Sequence, residues 1–466
     1  MSARSLLLAL MAATALGGCT LAPRYERPGL PVGQAWPVTP QSAPAAVPGA
    51  DLAWRDVFQD ARLRSVIALA LEQNRDLRVA VANIARARAE YRIQRAELLP
   101  AINGVAAGTR TRTPASVAPT GRSDVTDQYS VSAGFAAYEL DLFGRVQSLS
   151  AAALQSYFAT EENRRTVQIS LVAETASAYL TLAADQDLLK ITQDTLASRE
   201  AALDLARKRF EAGATSELDL RQVQTLAEQA RSDAAVATAQ VDRDHNALRL
   251  LVGAEIPADL LPQGGLTAVA VLADISPGLP SDVLVRRPDV LAAEHTLQAR
   301  NANIGAARAA FFPRISLTGS AGAISPELGD LFGAGTRTWS FAPQVVLPIF
   351  AGGANIAGLR GAEASRDAAV AQYEKAIQTA FREVADALAV RATIADRIAA
   401  QDRLVEAAAA TQRLTQARYD RGVDSYLSLL DAQRTLYAAR QSRLAAQLAA
   451  ATNRVELYRA LGGGRL

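Results

Sequence analysis

The sequence predicts an α+β membrane protein in which one unit (a helix, a β-hairpin, a long helix and a shorter helix) is repeated in tandem. Three observations predict this fold: landmarks that recur at nearly one offset, short runs of alternating apolar and polar residues, and two long helical spans without proline. The chain has 466 residues, of which 50% are hydrophobic and 5% aromatic. With 49 Lys and Arg against 47 Asp and Glu, the chain lacks the excess of basic residues that nucleic-acid binding favours, so we expect no nucleic-acid partner.

The composition argues against an enzyme. The chain has one cysteine, Cys19, and two histidines, His245 and His295. These are too few for a disulfide framework, and they make a Cys/His metal centre or a His-based catalytic triad a poor fit. The glycine-rich stretch 329–335 lacks the Lys-Ser/Thr pair of a phosphate-binding loop. We therefore expect no catalysis, no cofactor and no metal.

Residues 1–18 have the features of a signal peptide. Arg4 precedes an apolar run of 11 residues, 6–16, which is shorter than the ~20 residues that a membrane-spanning helix needs. The run ends in Leu16-Gly17-Gly18-Cys19, which resembles the lipobox of bacterial lipoproteins, so Cys19 is expected to carry a lipid anchor. An ordinary secretory signal with a buried cysteine is the alternative. Thr20, where an Asp would indicate inner-membrane retention, favours the outer membrane.

Residues 19–50 are predicted to form a lipidated, extended tether, because seven of the 19 prolines lie between Pro23 and Pro48. The first repeat is assigned to residues 51–253. From Arg62 to about Leu98, apolar residues follow the spacing of three and four that predicts a helix, and Pro100 ends it.

The chain then repeats itself. Three landmarks return in the same order at offsets of 213, 207 and 209 residues: Pro100 as Pro313, Phe143 as Phe350, and Phe210 as Tyr419. Such agreement predicts a second copy, which we assign to residues 287–461. Residues 254–286 are then a connecting segment, and residues 462–466 a tail.

Short alternating runs follow each of the two prolines. The clearest has one apolar and one small-polar face, formed by Ile315, Leu317, Gly319 and Ala321 against Arg314, Ser316, Thr318 and Ser320. Further runs lie at 129–135 and 338–347, and a weaker one begins near Ala101. Each has about the 9–11 residues of a tilted strand that crosses a bilayer, although a soluble hairpin packed on the helices is the alternative. Since a small membrane barrel needs at least ~8 strands, four spanning strands would require an oligomer.

Residues 147–212 and 354–421 are predicted to be helices of about 65 residues, or ~100 Å each. Apolar residues recur at every seventh position along both: Leu182, Leu189, Leu196, Leu203 and Phe210 in the first, and Val370, Ile377, Val384, Ile398, Val405 and Tyr419 in the second. This spacing predicts a coiled-coil surface, with the core stripe of a compact bundle as the alternative. Shorter helices, 218–251 and 426–461, run back from turns at Gly213 and Gly422.

Three strings resemble the outer-membrane efflux proteins of the TolC family, in particular its OprM-like branch of RND efflux system outer membrane lipoproteins (NodT type). They are the opening pattern Trp54, Phe58, Asp60, Leu63 and Ile67, the string from Asn303-Ile304-Gly305 to Phe312-Pro313, and the string from Arg418-Tyr419-Asp420 to Asp431-Ala432-Gln433. The resemblance implies a homotrimer with a twelve-stranded β-barrel in the outer membrane, surrounded by lipid and continuous with a periplasmic coiled-coil barrel. It also implies a passive exit duct of a tripartite multidrug or small-molecule efflux system, with a periplasmic adaptor and an inner-membrane RND pump. A type I protein secretion duct and a non-channel envelope-spanning coiled-coil lipoprotein are the alternatives.

The resemblance also assigns site residues at the periplasmic end. It places Leu427 at an apolar constriction and Asp431 in an acidic ring, while Ser428 stands where some relatives have a second acidic ring. A hydrogen bond between Asp219 and Tyr419 is expected to help hold the closed state. Adaptor-facing turns are expected at Gly213, Gly422 and Asp424. For Asp219 and Asp431, a solvated carboxylate on an amphipathic helix is the alternative.

Overall fold

The computed structural model describes residues 20–37, 53–119, 121–269 and 284–464. The predicted signal peptide and the predicted lipidation of Cys19 lie outside these residues. The chain divides into two compact units. One joins the residues up to Gly29 with Asn83–Glu161 and Ala292–Tyr373, and the other joins Leu30–Ala82, Glu162–Leu291 and Glu374–Leu466.

The elements of the chain occur in two matching series. The first is α1 (Trp54–Val57), α2 (Ala61–Gln73), α3 (Arg75–Ala96), β1 (Asn103–Thr113), β2 (Asp124–Leu140), α4 (Arg145–Glu211) and α5 (Glu217–Val252). A 3₁₀ turn (Ala258–Leu260) and α6 (Leu266–Val269) follow, and then α7 (Pro288–Ala309), β3 (Arg314–Ser325), β4 (Arg337–Val346), α8 (Ala354–Asp420) and α9 (Tyr426–Ala460). Matching helices have nearly equal lengths: 22 and 22 residues for α3 and α7, 67 and 67 for α4 and α8, and 36 and 35 for α5 and α9. The predicted tandem repeat is confirmed.

The helix predicted from Arg62 to Leu98 is two helices, α2 and α3, which meet at Asn74. The backbone of Asn74 is extended (ψ 136°), and its Oδ1 accepts a hydrogen bond from the Leu77 N–H at 2.8 Å. Its Nδ2 donates to the Leu251 carbonyl, also at 2.8 Å. Asn74 therefore caps a new helix and ties its start to α5. The spacing of apolar residues does not distinguish one helix from two helices that share a buried face, so it does not predict the break at Asn74.

Strands β1 to β4 form one antiparallel sheet in the order β1-β2-β3-β4. β2 has 17 residues, longer than the run at 129–135, and it contains a bulge between Phe135 and Tyr138, where Ala137 has a φ of 52°. Pro343, on β4, lies opposite Leu317 of β3. Proline has no N–H to donate to the ladder, so Pro343 contributes only its carbonyl to strand pairing.

The sheet exposes large apolar side chains. Every residue of β4 is exposed, including Trp339 (78%), Phe341 (58%) and Val345 (63%). β1, the other edge strand, is exposed over all its residues except the half-buried Thr113. Over the described residues, the outer edges of β1 and β4 pair with no further strand. An exposed apolar sheet with two open edges is unstable as a surface in water.

Residues 20–37 are docked against the rest of the chain. Asn301 and Arg308 on α7 donate to the carbonyls of Pro23 and Leu21, at 2.7 and 3.2 Å. Arg27 pairs with Glu294, with both guanidinium–carboxylate distances at 2.8 Å. Trp36 is buried, and its ring stacks on Phe381 with centroids 5.0 Å apart. Residues 20–37 form no helix or strand and are held by these contacts, while the rest of the predicted tether, residues 38–50, lies outside the described residues.

The long helices are buried along part of their heptad stripes. Leu182, Leu203, Ile377 and Val384 are buried, whereas Phe210 is 41% exposed. Leu203 and Ala206 of α4 pack with Val223 and Ala227 of α5 in one apolar cluster. An 18-residue window of α4 is apolar enough to cross a membrane, but 61% of it is buried within the protein, as in a core helix.

Candidate functional site

The turns between α4 and α5 and between α8 and α9 are built alike. Gly213 and Gly422 have φ values of 75° and 72°, a left-handed conformation that favours glycine. The N–H of each glycine donates three residues back, to Phe210 at 2.8 Å and to Tyr419 at 2.9 Å. The next residue in each turn donates five residues back, at 2.8 Å in the first turn and 2.9 Å in the second. These hydrogen bonds end α4 and α8 and reverse the chain. We call the two turns with their flanking residues, 209–219 and 418–431, the tip.

Asp219 is held by its own turn. Its Oδ2 accepts hydrogen bonds from Ser216 Oγ at 2.7 Å and from Thr215 Oγ1 at 3.1 Å. The N–H of Asp219 donates to Ser216 Oγ at 3.1 Å and the N–H of Ser216 donates to Asp219 Oδ2 at 3.4 Å, and these two reciprocal hydrogen bonds form a capping box at the start of α5. These hydrogen bonds, the one from the Ser216 side chain above all, hold the pKa of Asp219 below its usual value. The carboxylate is therefore charged at neutral pH.

Tyr419 joins α8 to α4. Arg209 donates from Nη1 to the Tyr419 hydroxyl at 3.0 Å, and its guanidinium lies 5.6 Å from the centroid of the tyrosine ring. The same ring lies 5.4 Å from that of Tyr426. Tyr419 and Asp219 line one cavity of about 80 Å³, but over the described residues the expected hydrogen bond between them is not made. The capping box orients the Asp219 carboxylate towards Ser216, and the Tyr419 hydroxyl accepts its hydrogen bond from Arg209 instead.

Asp424 forms an ion pair within the second turn. Arg418 donates to its two carboxylate oxygens at 2.7 and 2.8 Å. The hydrogen bond from Arg418 lowers the pKa of Asp424. Because Arg418 lies in the last turn of α8 and Asp424 in the turn that follows, the pair stiffens that turn.

Helix α9 has two buried faces and one exposed arc. One buried face contacts α8 through Leu436 and Ala439, which cluster with Ala408. The exposed arc carries residues at spacings of four and three: Leu427 (54% exposed), Asp431, Arg434 and Ala438. The predicted gate residues Leu427 and Asp431 thus lie one turn apart on a single exposed face.

The second buried face of α9 contacts α4, and sequence analysis did not find it. Gln433 Oε1 accepts from Nη1 of Arg199, and the Tyr437 hydroxyl lies 3.2 Å from Thr192 Oγ1. Nearer the tip, Tyr426 packs against Leu203 and its cluster. One sequence feature could have indicated this contact. Thr192 and Arg199 are polar residues seven positions apart, so they lie on one face of α4 and share the heptad spacing of its leucines.

The described residues contain no group of three or more His, Cys, Asp or Glu side chains arranged to hold a metal ion. The geometry of the tip is that of helix ends, hydrogen-bonded carboxylates and an exposed apolar-acidic stripe.

Comparison with known proteins identifies the family. Two segments, residues 66–254 and 279–463, match the sequence profile described as outer membrane efflux protein. The chain is 48% identical over 464 residues to the toluene efflux pump outer membrane protein TtgC and to the antibiotic efflux pump outer membrane protein ArpC, both of Pseudomonas putida; each match covers 99% of this chain and 96% of the relative. Its fold is similar to the open state of the MtrE outer membrane channel of Neisseria gonorrhoeae, with a TM-score of 0.86 and 41% identity over 96% of this chain and 98% of that one. The first matched segment contains α3 to α5 with β1 and β2, the second contains α7 to α9 with β3 and β4, and the chain belongs to the outer membrane efflux protein family.

Proposed function

We propose that the chain is the outer-membrane channel of a tripartite efflux system and works as a homotrimer that forms a passive exit duct for small molecules. The observation that carries this proposal is the four-stranded sheet with two open edges. Four strands cannot close, whereas three copies supply twelve, enough for a membrane barrel. In that assembly β1 of one protomer pairs with β4 of the next, which removes both edges.

The strands suit the bilayer. They have 10 to 17 residues, at least the length of a tilted strand that crosses the hydrocarbon core. Trp339, Phe341 and Val345 would meet lipid, and a lipid on Cys19 would add a second anchor. A soluble coiled-coil scaffold gives no reason for such a sheet.

The gate is assigned to the exposed arc of α9. A threefold axis would bring three copies of Leu427 together as an apolar constriction and three Asp431 carboxylates together as an acidic ring. Such a ring favours cations. Ser428 lies one turn before the ring, so a single acidic ring is expected. In the assembled closed state, Asp219 and Tyr419 are proposed to stabilise the tip.

Partners and energy come from outside the chain. The duct catalyses nothing, and an inner-membrane RND pump drives export through a periplasmic adaptor. The turns at Gly213 and Gly422, with Asp424, are proposed to meet that adaptor, because an added Cβ at either glycine would meet no atom within 4 Å, so the turns stand open. Since TtgC and ArpC are named for toluene and antibiotic efflux, small organic molecules are the proposed substrate class.

The mass of the purified protein in detergent tests the assembly. Light scattering corrected for detergent is expected to give three times the mass of one chain, with the trimer persisting on dilution. A monodisperse monomer that retains its strand content by circular dichroism would contradict the proposal. The edge pairing has its own check: single cysteines placed on β1 and on β4 should crosslink chain to chain, and a matched pair on the inner strands β2 and β3 should crosslink only within a chain.

A further inference from the structure

Arginine and threonine alternate along the second half of β1. The strand ends in the sequence Thr109-Arg110-Thr111-Arg112-Thr113, and successive side chains of a strand point to opposite faces of the sheet. The two arginines therefore share one face, and the three threonines share the other. Both arginines are exposed, and the Arg110 side chain is 77% exposed. The alternation places the positive charge of β1 on a single face of the sheet.

Strand pairing shows which face the arginines share. Residues directly opposite each other in an antiparallel ladder lie on the same face. The face of Trp339 can be followed across the sheet through three pairs: Trp339 with Ala321, Ala321 with Ala133, and Ala133 with Gly104. Arg110 and Arg112 lie on this face because they follow Gly104 at even spacings, and Arg337 lies on it as the second residue before Trp339. We call this face, which is proposed to meet lipid, the outward face.

An apolar band precedes the arginines on the outward face. Along β2 this face carries only apolar and aromatic residues over one long span: Leu140, Tyr138, Phe135, Ala133, Val131 and Tyr129. With ~3.3 Å per residue and a strand tilt of ~40°, the span is roughly 25 to 28 Å tall, close to the ~25 Å apolar band of a membrane barrel. Asp127, the next residue of β2 on this face, lies opposite Arg110. The arginines of β1 therefore begin where the apolar band ends.

The arginine end of the sheet points away from the long helices. Helices α3 and α4 join β1 and β2 at the opposite end, next to Asn103 and Leu140. In the proposed assembly the helices extend into the periplasm, so Arg110 and Arg112 lie at the level of the outer leaflet of the membrane.

Positive charge exceeds negative charge on the outward face at this end. Asp127 Oδ1 lies 3.4 Å from Arg110 Nε, whereas over the described residues Arg112 and Arg337 form no ion pair. The other acidic residues of this end lie on the opposite face or in the loop between β3 and β4: Asp124, Glu327 and Asp330. Three arginines against one aspartate leave the outward face with a net positive charge.

We propose that Arg110 and Arg112 of one protomer and Arg337 of the next form a binding site for the phosphate groups of an outer-leaflet lipid. This inference rests on the proposed function, because only the pairing of β4 with β1 of the neighbouring protomer brings the three arginines to one outward-facing junction. Guanidinium groups bind phosphate oxygens through paired, charge-assisted hydrogen bonds. The acyl chains of such a lipid would lie along the apolar band beside the site.

Binding of lipid A, a glycolipid that carries two phosphate groups, to the purified trimer in a neutral detergent tests the site. Native mass spectrometry is expected to show saturable binding of lipid A and much weaker binding of the same lipid after its phosphates are removed. Arg110→Gln and Arg112→Gln should each weaken binding about fivefold, and Arg112→Lys, which keeps the charge, should weaken it less. Arg207→Gln, at an exposed site on α4, is the matched control and should bind as the wild type does.

The possible outcomes separate the lipid site from the assembly. A trimer that binds the two lipids equally, or Arg110→Gln and Arg112→Gln variants that bind lipid A as tightly as Arg207→Gln, would overturn the site. Inorganic phosphate that displaces lipid A at equal concentration would assign the arginines to a free anion and overturn the lipid as the ligand. Protein that retains its strands but is monomeric would instead overturn the proposed function.

Discussion

At the scale of single residues, the carboxylates of the tip differ in what surrounds them. The Asp219 carboxylate accepts hydrogen bonds from Ser216 and Thr215, and the Asp424 carboxylate accepts them from Arg418. Hydrogen bonds lower the pKa of both, so each stays charged while it stabilises its own turn. Asp431 lies exposed on α9, and only the proposed trimer would bring its copies together. The structural and the proposed gating carboxylates are thus distinguished by their partners.

A second carboxylate pair, away from the tip, predicts a pH dependence of stability. Burial, with the neighbouring Asp244 as the next cause, raises the pKa of Asp185 to about 7 from an ordinary 3.8. Between these values the folded protein holds a proton that the unfolded chain has lost. The free energy of unfolding therefore decreases as pH rises from about 4 to about 7, and above 7 this contribution is lost. Thermal unfolding between pH 5 and 8 measures it.

Substitution isolates the contribution of this pair. Asp185→Asn keeps the shape and a donor for Asp244, so its unfolding temperature should fall less than that of the wild type between pH 5 and 8. Asp194→Asn, an exposed position nine residues further along α4, is the control and should follow the wild type. An identical pH slope for wild type and Asp185→Asn would show that the pair does not share a proton.

At the scale of elements, each helix end and contact face has an identifiable cause. Glycines in left-handed conformation end α4 and α8, and serines cap α5 and α9. Helix α9 distributes its roles by face: one buried face contacts α8, one contacts α4, and the remaining arc is exposed. A helix that is held on two sides can present its third side in a fixed direction.

The break between α2 and α3 predicts a large effect from a small substitution. Asn74→Ala removes the cap of α3 and leaves the half-buried Leu251 carbonyl without its donor. We expect a loss of about 2 kcal/mol in the free energy of unfolding, the sum of a lost cap and a lost hydrogen bond. Chemical unfolding followed by circular dichroism measures it. Asn246→Ala, at an exposed site on α5, should change stability by less than about 0.5 kcal/mol; equal effects at the two sites would contradict this account of Asn74.

These elements show what sequence patterns could and could not predict. Length, periodicity and the repeat predicted α4, α8, α5 and α9 to within two residues, because helix propensity and glycine turns are local. The cap at Asn74, the docking of Trp36 on Phe381 and the bond between Arg199 and Gln433 were not predicted. Each joins residues far apart in the chain, and the periodicity of one helix does not identify its partner. For the site, the resemblance to the family assigned Leu427 and Asp431, whose role stays a prediction, and it did not indicate the contacts that α9 makes with α4.

At the scale of the whole molecule, the central claim is that three copies form one gated duct. The open sheet edges call for closure by other copies, and the exposed arc of α9 gives each copy a residue for a shared ring. Closure of the sheet and a shared ring on α9 concern different parts of the chain, and the same proposed threefold assembly satisfies both. A defect in sheet closure should abolish conduction, whereas a defect at Asp431 should alter its selectivity.

The most direct test of this claim is the single-channel conductance and ion selectivity of the purified protein in planar bilayers, beside Asp431→Ala. The wild type is expected to give small, cation-selective openings. Asp431→Ala should lose much of that selectivity or open more widely, because the ring loses its negative charge. Asp396→Ala, an exposed carboxylate on α8, is the control and should behave as the wild type. Openings of unchanged size and selectivity in Asp431→Ala, or a correctly assembled trimer that carries no current in any form, would contradict the account.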